Sequence, residues 1–282
     1  MISHRFDFCI LCRIFCQAIA QPAKLITEDA AKISGAGLNI AFPTTPCKGK
    51  SNPVEFPSCH SGEISTFGLP NQFFAMIVLE ACVENISEAL KAEAKGAHRI
   101  ELCENLAVGG TTPTIGTLKV CRRYLSIPIF VMIRPRGGNF TYTEEEKEVM
   151  REDLLRLKEA GADGLVMGML TPEKRVDLET LYSFLELARP LPVTFHKAID
   201  ETHDILFELN RLKEAGVDRV LSSGGAATAI EGADMLRAMI HQAGRRMKIV
   251  AAGKITSENI ALHIEKIPAK EFHGRKIVGT LE

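Results

Sequence analysis

The sequence lacks a strong net charge and lacks any long apolar run. Its 34 basic and 35 acidic residues give a formal net charge of −1, with the two signs interleaved along the chain. Because nucleic-acid binding proteins carry a basic patch or stripe, this balance argues against a nucleic-acid partner. No apolar run is long enough to cross a bilayer, so we expect no membrane partner either. A small molecule or a metal ion remains as the expected partner.

The eight cysteines lack the arrangement of a complete zinc-type site. The Cys-x-x-Cys-x-x-x-Cys spacing over residues 9–16 resembles metal ligation, but no second pair on a structured scaffold follows it. Cysteines near the strands of a fold typical of cytosolic enzymes are more often reduced thiols than disulfides. The sequence therefore predicts a cytoplasmic protein with free thiols. Five cysteines lie in the first quarter and three in the remainder, namely Cys9, Cys12, Cys16, Cys47 and Cys59, then Cys82, Cys103 and Cys121.

Residues 1–74 lack the pattern of the rest of the chain. The apolar stretch at 8–20 is interrupted by Arg13 and is an imperfect signal peptide. Residues 34–70 are rich in Gly, Pro, Ser and Thr without periodicity. We therefore expect a poorly ordered N-terminal extension, either a targeting segment or an addition ahead of a native start at Met76. The folded domain is predicted to cover residues 75–282.

From residue 77 onward, short apolar strands alternate with helices. Three junctions repeat one pattern, in which a helix ends at a cap glycine and a strand follows, at residues 95–102, 159–167 and 214–221. The predicted strands cover residues 77–82, 99–103, 128–133, 164–167, 192–196, 219–222, 248–251 and 270–273. The predicted helices cover residues 86–95, 115–125, 143–160, 178–188, 205–215, 230–242 and 257–267. This repeat predicts an α/β fold, a closed parallel (β/α)8 TIM barrel.

The barrel pattern lacks its final member. Only nine residues follow His273 in the sequence. The last helix is therefore predicted to be truncated or missing.

Polar residues gather where the predicted strands end, which is where a parallel barrel carries its functional groups. Side chains alternate between the two faces of a strand, so Glu80 shares a face with Cys82, and Glu101 with Cys103. Because the first two strands are neighbours, we expect both thiols side by side at the barrel mouth, above two carboxylates. Two thiolates with an open approach suit Cu(I). The alternative is that small buried cysteines fill core volume.

Arg134 and Arg136 follow the third strand, in the segment Arg-Pro-Arg-Gly-Gly. Two guanidinium groups beside a glycine-rich turn can bind a carboxylate or a phosphate through paired hydrogen bonds. The other interpretation is that they neutralise Glu80 and Glu101, because buried carboxylates need partners. The two interpretations are compatible.

His196 ends the fifth predicted strand, and Asp200 lies just beyond it. They fit a general acid–base pair, a metal ligand or a structural hydrogen-bonded histidine. Lys197 has the opposite parity, so it should point away from the lumen if His196 faces it, which argues against a Schiff-base lysine. After the sixth strand, Ser223 and Gly224 are further anion-binding candidates, since glycine-rich loops in barrels bind anions at helix N-termini.

Six segments in order resemble the CutC copper homeostasis family. They are LEACVE at 79–84, RIELC at 99–103, GGTTP at 109–113, IRPRGG at 133–138, VTFH at 193–196 and EFH at 271–273. The resemblance implies a cytosolic TIM barrel linked to copper tolerance, reported to bind Cu(I) and often dimeric. The cysteines proposed as ligands in animal members match Cys82 and Cys103. Position 197 departs from the family, with Lys in place of the usual Arg.

We therefore predict a copper-homeostasis barrel that holds Cu(I) at Cys82 and Cys103. The alternative hypothesis is a TIM-barrel enzyme that performs acid–base chemistry on a small anionic metabolite. It rests on the paired arginines and the histidine at the strand ends, which a copper site of two thiolates does not require. Its candidate catalytic residues are Glu80, Glu101, His196 and Asp200, and its candidate anion-binding residues are Arg134, Arg136, Ser223 and Gly224.

Overall fold

A computed structural model of the protein describes residues 77–281. Eight parallel strands close into a barrel in which each strand bonds the next along the chain and the last bonds the first. This arrangement confirms the predicted TIM barrel. The expectations for residues 1–74, including those for five cysteines, lie outside the described residues. The strands are β1 Val78–Val83, β2 Arg99–Leu102, β3 Ile129–Met132, β4 Gly164–Met167, β5 Val193–Phe195, β6 Arg219–Ser222, β7 Lys248–Ala251 and β8 Glu271–Gly274.

Helices follow the first seven strands and cover the outside of the barrel. Among the residues that the structure describes, no helix is both long and apolar enough to cross a membrane. Short 3-10 helices follow β2 at Leu106–Val108 and β5 at Lys197–Glu201. The α-helices are α1 Ile86–Ala94, α2 Ile115–Tyr124, α3 Glu144–Glu159, α4 Leu178–Ala188, α5 Ile205–Ala215, α6 Ala233–Ala243 and α7 Ile260–Lys266.

Local hydrogen bonds set the helix starts. At α3, the Thr143 hydroxyl accepts from the Glu146 N–H, and the Glu146 carboxylate accepts from the Thr143 N–H, which is a capping box. α7 begins three residues later than predicted because the Asn259 side chain accepts from the Thr256 N–H and holds that stretch as a turn. The predicted elements are therefore correct in kind and differ at their ends.

The interior of the barrel is polar in places where a barrel core is usually aliphatic. Two small apolar clusters, one around Phe130 and Met132 and the other around Leu221 and Val250, share this interior with buried charges. The main apolar core lies outside it, between the strands and the helices. The strand alternation thus places chemistry-bearing side chains inside and aliphatic ones outside.

In the described part of the chain, the segment from the end of β8 to residue 281 contains no helix. The chain instead packs along α1, where Lys91 and the C-cap residue Lys95 donate to the carbonyls of Leu281 and Thr280 at 3.0 and 2.5 Å. Ile277 and Leu281 are buried there. This irregular segment therefore seals part of the surface that an eighth helix would cover.

Candidate metal centre and the mouth of the barrel

Two free thiols lie together at the C-terminal end of the barrel. Cys82 is on β1, opposite Glu101 of β2, and Cys103 directly follows β2, on the side of the strand that carries Glu101. Their Sγ atoms are 3.9 Å apart and both residues are buried. A Cβ on Gly110, whose φ is +86°, would approach the Cys103 Sγ to 3.2 Å, so the following loop closes tightly over the pair. The expected side-by-side placement of the thiols is thus present.

Glu101 completes the cluster of potential ligand atoms. One of its carboxylate oxygens and the two sulfurs of Cys82 and Cys103 lie within 4.8 Å of one another. The Glu101 Oε1 atom is buried and has no hydrogen-bond partner. A buried oxygen without a partner carries an unmet desolvation cost, which a cation would relieve. The three side chains therefore offer a donor set of two sulfurs and one oxygen.

His273 of β8 lies between the two carboxylates. Its Nδ1 is 2.8 Å from Glu80 Oε1, and its Nε2 is 3.4 Å from Glu101 Oε2. Burial lowers the pKa of His273, but the charge of Glu101, a contact with Cys82 and the hydrogen bond to Glu80 outweigh it and raise the pKa well above its usual range. The ring is therefore an imidazolium, with a proton on each nitrogen.

The two carboxyl groups titrate differently because their partners differ. Burial raises the pKa of Glu80, but the charge of Arg99 and the contact with His273 bring it down to about 2. Burial dominates at Glu101 and raises its pKa, although His273 opposes this. Glu80 is thus a fixed anion, and Glu101 is the more readily protonated of the pair.

A buried ion-pair network forms the layer beneath this site. Arg99 bonds Glu80 and also donates to Glu271 at 2.6 Å, and it lies over the ring of Phe130 at 4.6 Å. Arg219 reaches the same Glu271 oxygen at 3.2 Å. The expectation that Arg134 and Arg136 neutralise Glu80 and Glu101 was wrong, because Arg99 and His273 pair with Glu80, and His273 also lies against Glu101.

Both thiols are protonated at neutral pH. The hydrogen bond with Cys103, burial and the nearby Glu101 carboxylate raise the pKa of Cys82 well above its usual range. At Cys103 the hydrogen bond with Cys82 lowers the pKa, but burial and the charges of Glu101 and Glu80 outweigh it and raise the pKa to about 11. Metal binding here must therefore displace protons.

Arg134 and Arg136 have separate environments. Arg134 is buried and donates to the carbonyls of Val108, Gly110 and Gly138 at 3.2, 2.9 and 2.8 Å, which ties two mouth loops together. Arg136 makes paired hydrogen bonds to Glu146 at the start of α3. The two guanidinium groups therefore have different partners, and that of Arg136 is already neutralised.

His196 is a buried, neutral histidine. Its Nδ1 accepts from the Ala198 N–H at 3.2 Å, and its ring lies 4.8 Å from the ring of Phe140. A Cβ on Gly168 would come within 2.4 Å of Nδ1, so only a glycine leaves room for the ring. Burial and the charge of Arg134 lower the pKa of His196 to about 3. It is therefore not a source of protons near neutral pH.

Lys197 lines the mouth, contrary to the parity argument. The strand ends at Phe195, and His196 caps a 3-10 helix, so alternation no longer applies at position 197. The Lys197 Nζ is 2.6 Å from the Ser223 hydroxyl and 3.3 Å from Asp200. The side chain therefore bridges the loops after β5 and β6.

Asp200 occupies the loop where Ser223 and Gly224 were predicted to bind an anion. Its carboxylate accepts from the backbone N–H groups of Ser223 and Gly225 at 2.9 and 3.0 Å, and from the Ser222 and Ser223 hydroxyls. The Gly224 N–H donates to the Ser222 hydroxyl at 2.8 Å. A carboxylate of the protein itself thus takes the donors that an external anion would need.

A cavity of about 760 Å³ opens above the thiols, with a lining that is part apolar and part charged. It brings together six of the predicted site residues, whereas Arg136, Ser223, Gly224 and Glu80 lie outside its lining. The six predicted residues in the lining are Cys82, Cys103, Glu101, Arg134, His196 and Asp200.

Sequence reasoning missed the partners of the carboxylates. His273 was noted as a strand end but was not assigned a role, and Arg99 and Glu271 were not considered. Arg99 shares its strand face with Glu101, and Glu271 shares its face with His273. The alternation rule, extended one pleat further back along each strand, identifies these residues.

Comparison with known proteins links the described domain to one family. A model of the CutC family matches residues 77–278. The human copper homeostasis protein cutC homolog is 45% identical over 196 residues, which is 70% of this chain and 72% of that protein. A CutC family protein of Enterococcus faecalis is 42% identical over 209 residues, 72% of this chain and all of that protein. A solved CutC structure from Streptococcus agalactiae is 37% identical, with a TM-score of 0.69, and covers 72% of this chain and all of that one.

Proposed function

The chain belongs to the CutC family, and from that premise we propose that it serves copper homeostasis by binding Cu(I) at Cys82 and Cys103. The observation that carries the proposal is the pair of free, buried sulfurs 3.9 Å apart beneath an open cavity. A zinc–thiolate bond is about 2.3 Å long, and at a similar bond length one ion can contact both sulfurs. Glu101, with its unpartnered oxygen, is the third potential donor.

The chemistry of the donors favours Cu(I) over harder ions. Thiolates select soft ions such as Cu(I), whereas Ca²⁺ and Mg²⁺ require shells of oxygen ligands. Binding by both thiolates gives a complex with a charge of about −1, and the His273 imidazolium beside the cysteines offsets that charge. Because both thiols are protonated when free, the copper affinity is expected to increase with pH.

The state of the cysteines also supports a cytoplasmic location. Within the described residues, Cys82, Cys103 and Cys121 are all free. A close pair of thiols retains its reduced form in a reducing compartment and is readily oxidised elsewhere. We therefore propose that the copper-binding form of the protein is cytoplasmic.

A competition titration tests the proposal. The full-length chain with Cys9, Cys12, Cys16, Cys47 and Cys59 replaced by serine is titrated with Cu(I) against a chromophoric chelator. This background removes thiols that lie outside the described domain.

In this background, we expect the protein to withdraw one Cu(I) from the chelator. The Cys82→Ala, Cys103→Ala double variant is expected to leave copper with the chelator, because two sulfur ligands are lost. Cys121→Ala is the matched control, since Cys121 is a buried thiol on α2 away from the cavity lining. Equal copper affinity in the double variant and the control would reject the proposed site.

A further inference from the structure

The cavity above the thiols is larger than a metal ion requires. Its volume of about 760 Å³ lies within the range of small-molecule sites, which is about 300–1,000 Å³. One part of its lining is apolar, formed by Leu106, Met132, Phe140 and Leu221. A bare or hydrated ion makes no use of such a surface. The lining therefore fits an organic molecule with an apolar body.

One cation in the lining has no anionic partner in the part of the chain described. His273 lies against two glutamates, Lys197 pairs with Asp200, and Arg275 pairs with Glu84. Arg134 is only 4% exposed, and within residues 77–281 the hydrogen bonds of its guanidinium group go to three backbone carbonyls. Burial of a charge without a counter-charge is unfavourable by several kcal/mol. An anion in the cavity would relieve this cost.

A buried hydrogen-bond donor lies on the same wall. The His196 Nδ1 accepts from the Ala198 N–H, so the single proton of the neutral ring is on Nε2. The Nε2 atom is buried and has no partner, while the ring itself lines the cavity. Arg134 and His196 lie against the same aromatic ring, because the Arg134 Cζ atom and the centre of the His196 ring are each 4.8 Å from the centre of the Phe140 ring. A neutral N–H donor and an uncompensated guanidinium thus occur side by side.

We propose that the mouth cavity binds a small organic carboxylate, whose oxygens accept from His196 Nε2–H and lie against the charge of Arg134. The apolar body of the ligand packs on Phe140, Leu106 and their apolar neighbours. A monoanion fits better than a phosphate dianion because Glu101, Asp200 and Glu201 also line the cavity and repel a second negative charge. This site uses residues other than the two cysteines and therefore goes beyond copper binding.

The test measures binding of benzoate to the full-length protein by calorimetry or by ligand-observed NMR. Benzamide, a neutral molecule of the same shape, and inorganic phosphate are the comparison probes. We expect saturable binding of benzoate and much weaker binding of both comparison probes. Absence of saturable benzoate binding, or tighter binding of phosphate or benzamide, would overturn the proposal.

Variants then identify the residues. His196→Phe keeps an aromatic ring against Phe140 and removes the Nε2–H, and we expect benzoate affinity to fall about 10- to 100-fold. Arg134→Gln should lower it by at least as much. The matched control is Arg136→Gln, because this arginine of the same segment is paired with Glu146 outside the cavity.

Arg134 also holds three loop carbonyls, so its variant needs a folding check by circular dichroism. If Arg134→Gln does not fold, His196→Phe alone decides the matter. If His196→Phe binds benzoate with the affinity of wild type, His196 is not part of the carboxylate site and the proposal is overturned.

Discussion

At the scale of single residues, His196 shows how the fold controls protonation. Its ring is enclosed by Phe140 and Gly168, and the Ala198 N–H occupies its Nδ1 lone pair. Burial and the charge of Arg134 lower its pKa to about 3, against about 6.5 for an unfolded histidine. The folded protein therefore keeps this imidazole neutral over a range in which the unfolded chain protonates it.

This difference predicts a loss of stability in mild acid. Between pH 6.5 and 3 the unfolded chain binds one proton more at this residue, so the stability present at pH 7 decreases as the pH falls, by up to about 1.4 kcal/mol per pH unit. Urea unfolding of wild type and His196→Phe at pH 7 and pH 5 checks it. We expect wild type to lose about 2 kcal/mol more than the variant over this interval.

The control for the acid prediction is His241→Phe, which removes an exposed histidine on α6. It should keep the pH dependence of wild type. A wild-type pH dependence in His196→Phe would contradict the account of a buried neutral ring.

Residue pairs across the barrel show which contacts can be predicted from the sequence and which cannot. Alternation along β1 and β2 predicts that Cys82 and Cys103 share the lumen, since parity is a local property. It does not predict that Arg99 rather than Arg134 pairs with Glu80, because that choice depends on the depth of each residue in a closed barrel. His273, 193 residues from Glu80, reaches it only through the closing β1–β8 pair.

At the scale of elements, the irregular segment after β8 covers part of the outside of the barrel. Ile277 is 1% exposed, and the backbone beyond it accepts hydrogen bonds from Lys91 of α1 and from Lys95 at the C-terminal end of that helix. Removing a fully buried branched side chain leaves a cavity that irregular backbone fills poorly. The segment is therefore an integral part of the barrel wall.

Ile277→Ala is expected to lower the free energy of unfolding by about 2–4 kcal/mol in urea denaturation. The matched control is Ile264→Ala on α7, where the side chain is 38% exposed, with an expected loss below about 1 kcal/mol. Similar losses for the two variants would show that the segment does not pack as described.

Element ends were harder to predict than element kinds. The 3-10 helix after β5 is one case, because a strand that stops one residue early turns Lys197 toward the mouth. The signal for that stop is the hydrogen bond of the Ala198 N–H to the His196 ring, which depends on the glycine at position 168, directly after the neighbouring strand β4. Such tertiary determinants are invisible in a single sequence.

At the scale of the whole molecule, the barrel brings strand ends into one mouth. The repeated helix–glycine–strand pattern sufficed to predict this architecture, because each unit specifies its own turn and strand. Charge placement depended on closure, which joins Arg99 to Glu271 across 172 residues. The fold and the thiol pair were therefore predictable, whereas the ion-pair network and the donors left free in the cavity were not.

The central claim is that one Cu(I) binds between Cys82 and Cys103. X-ray absorption at the copper edge tests it most directly, on full-length protein loaded with one equivalent of Cu(I) and carrying serine at the other six cysteine positions. The account predicts a monovalent copper edge and a first coordination shell dominated by two sulfur scatterers. A first shell of nitrogen and oxygen alone would contradict it.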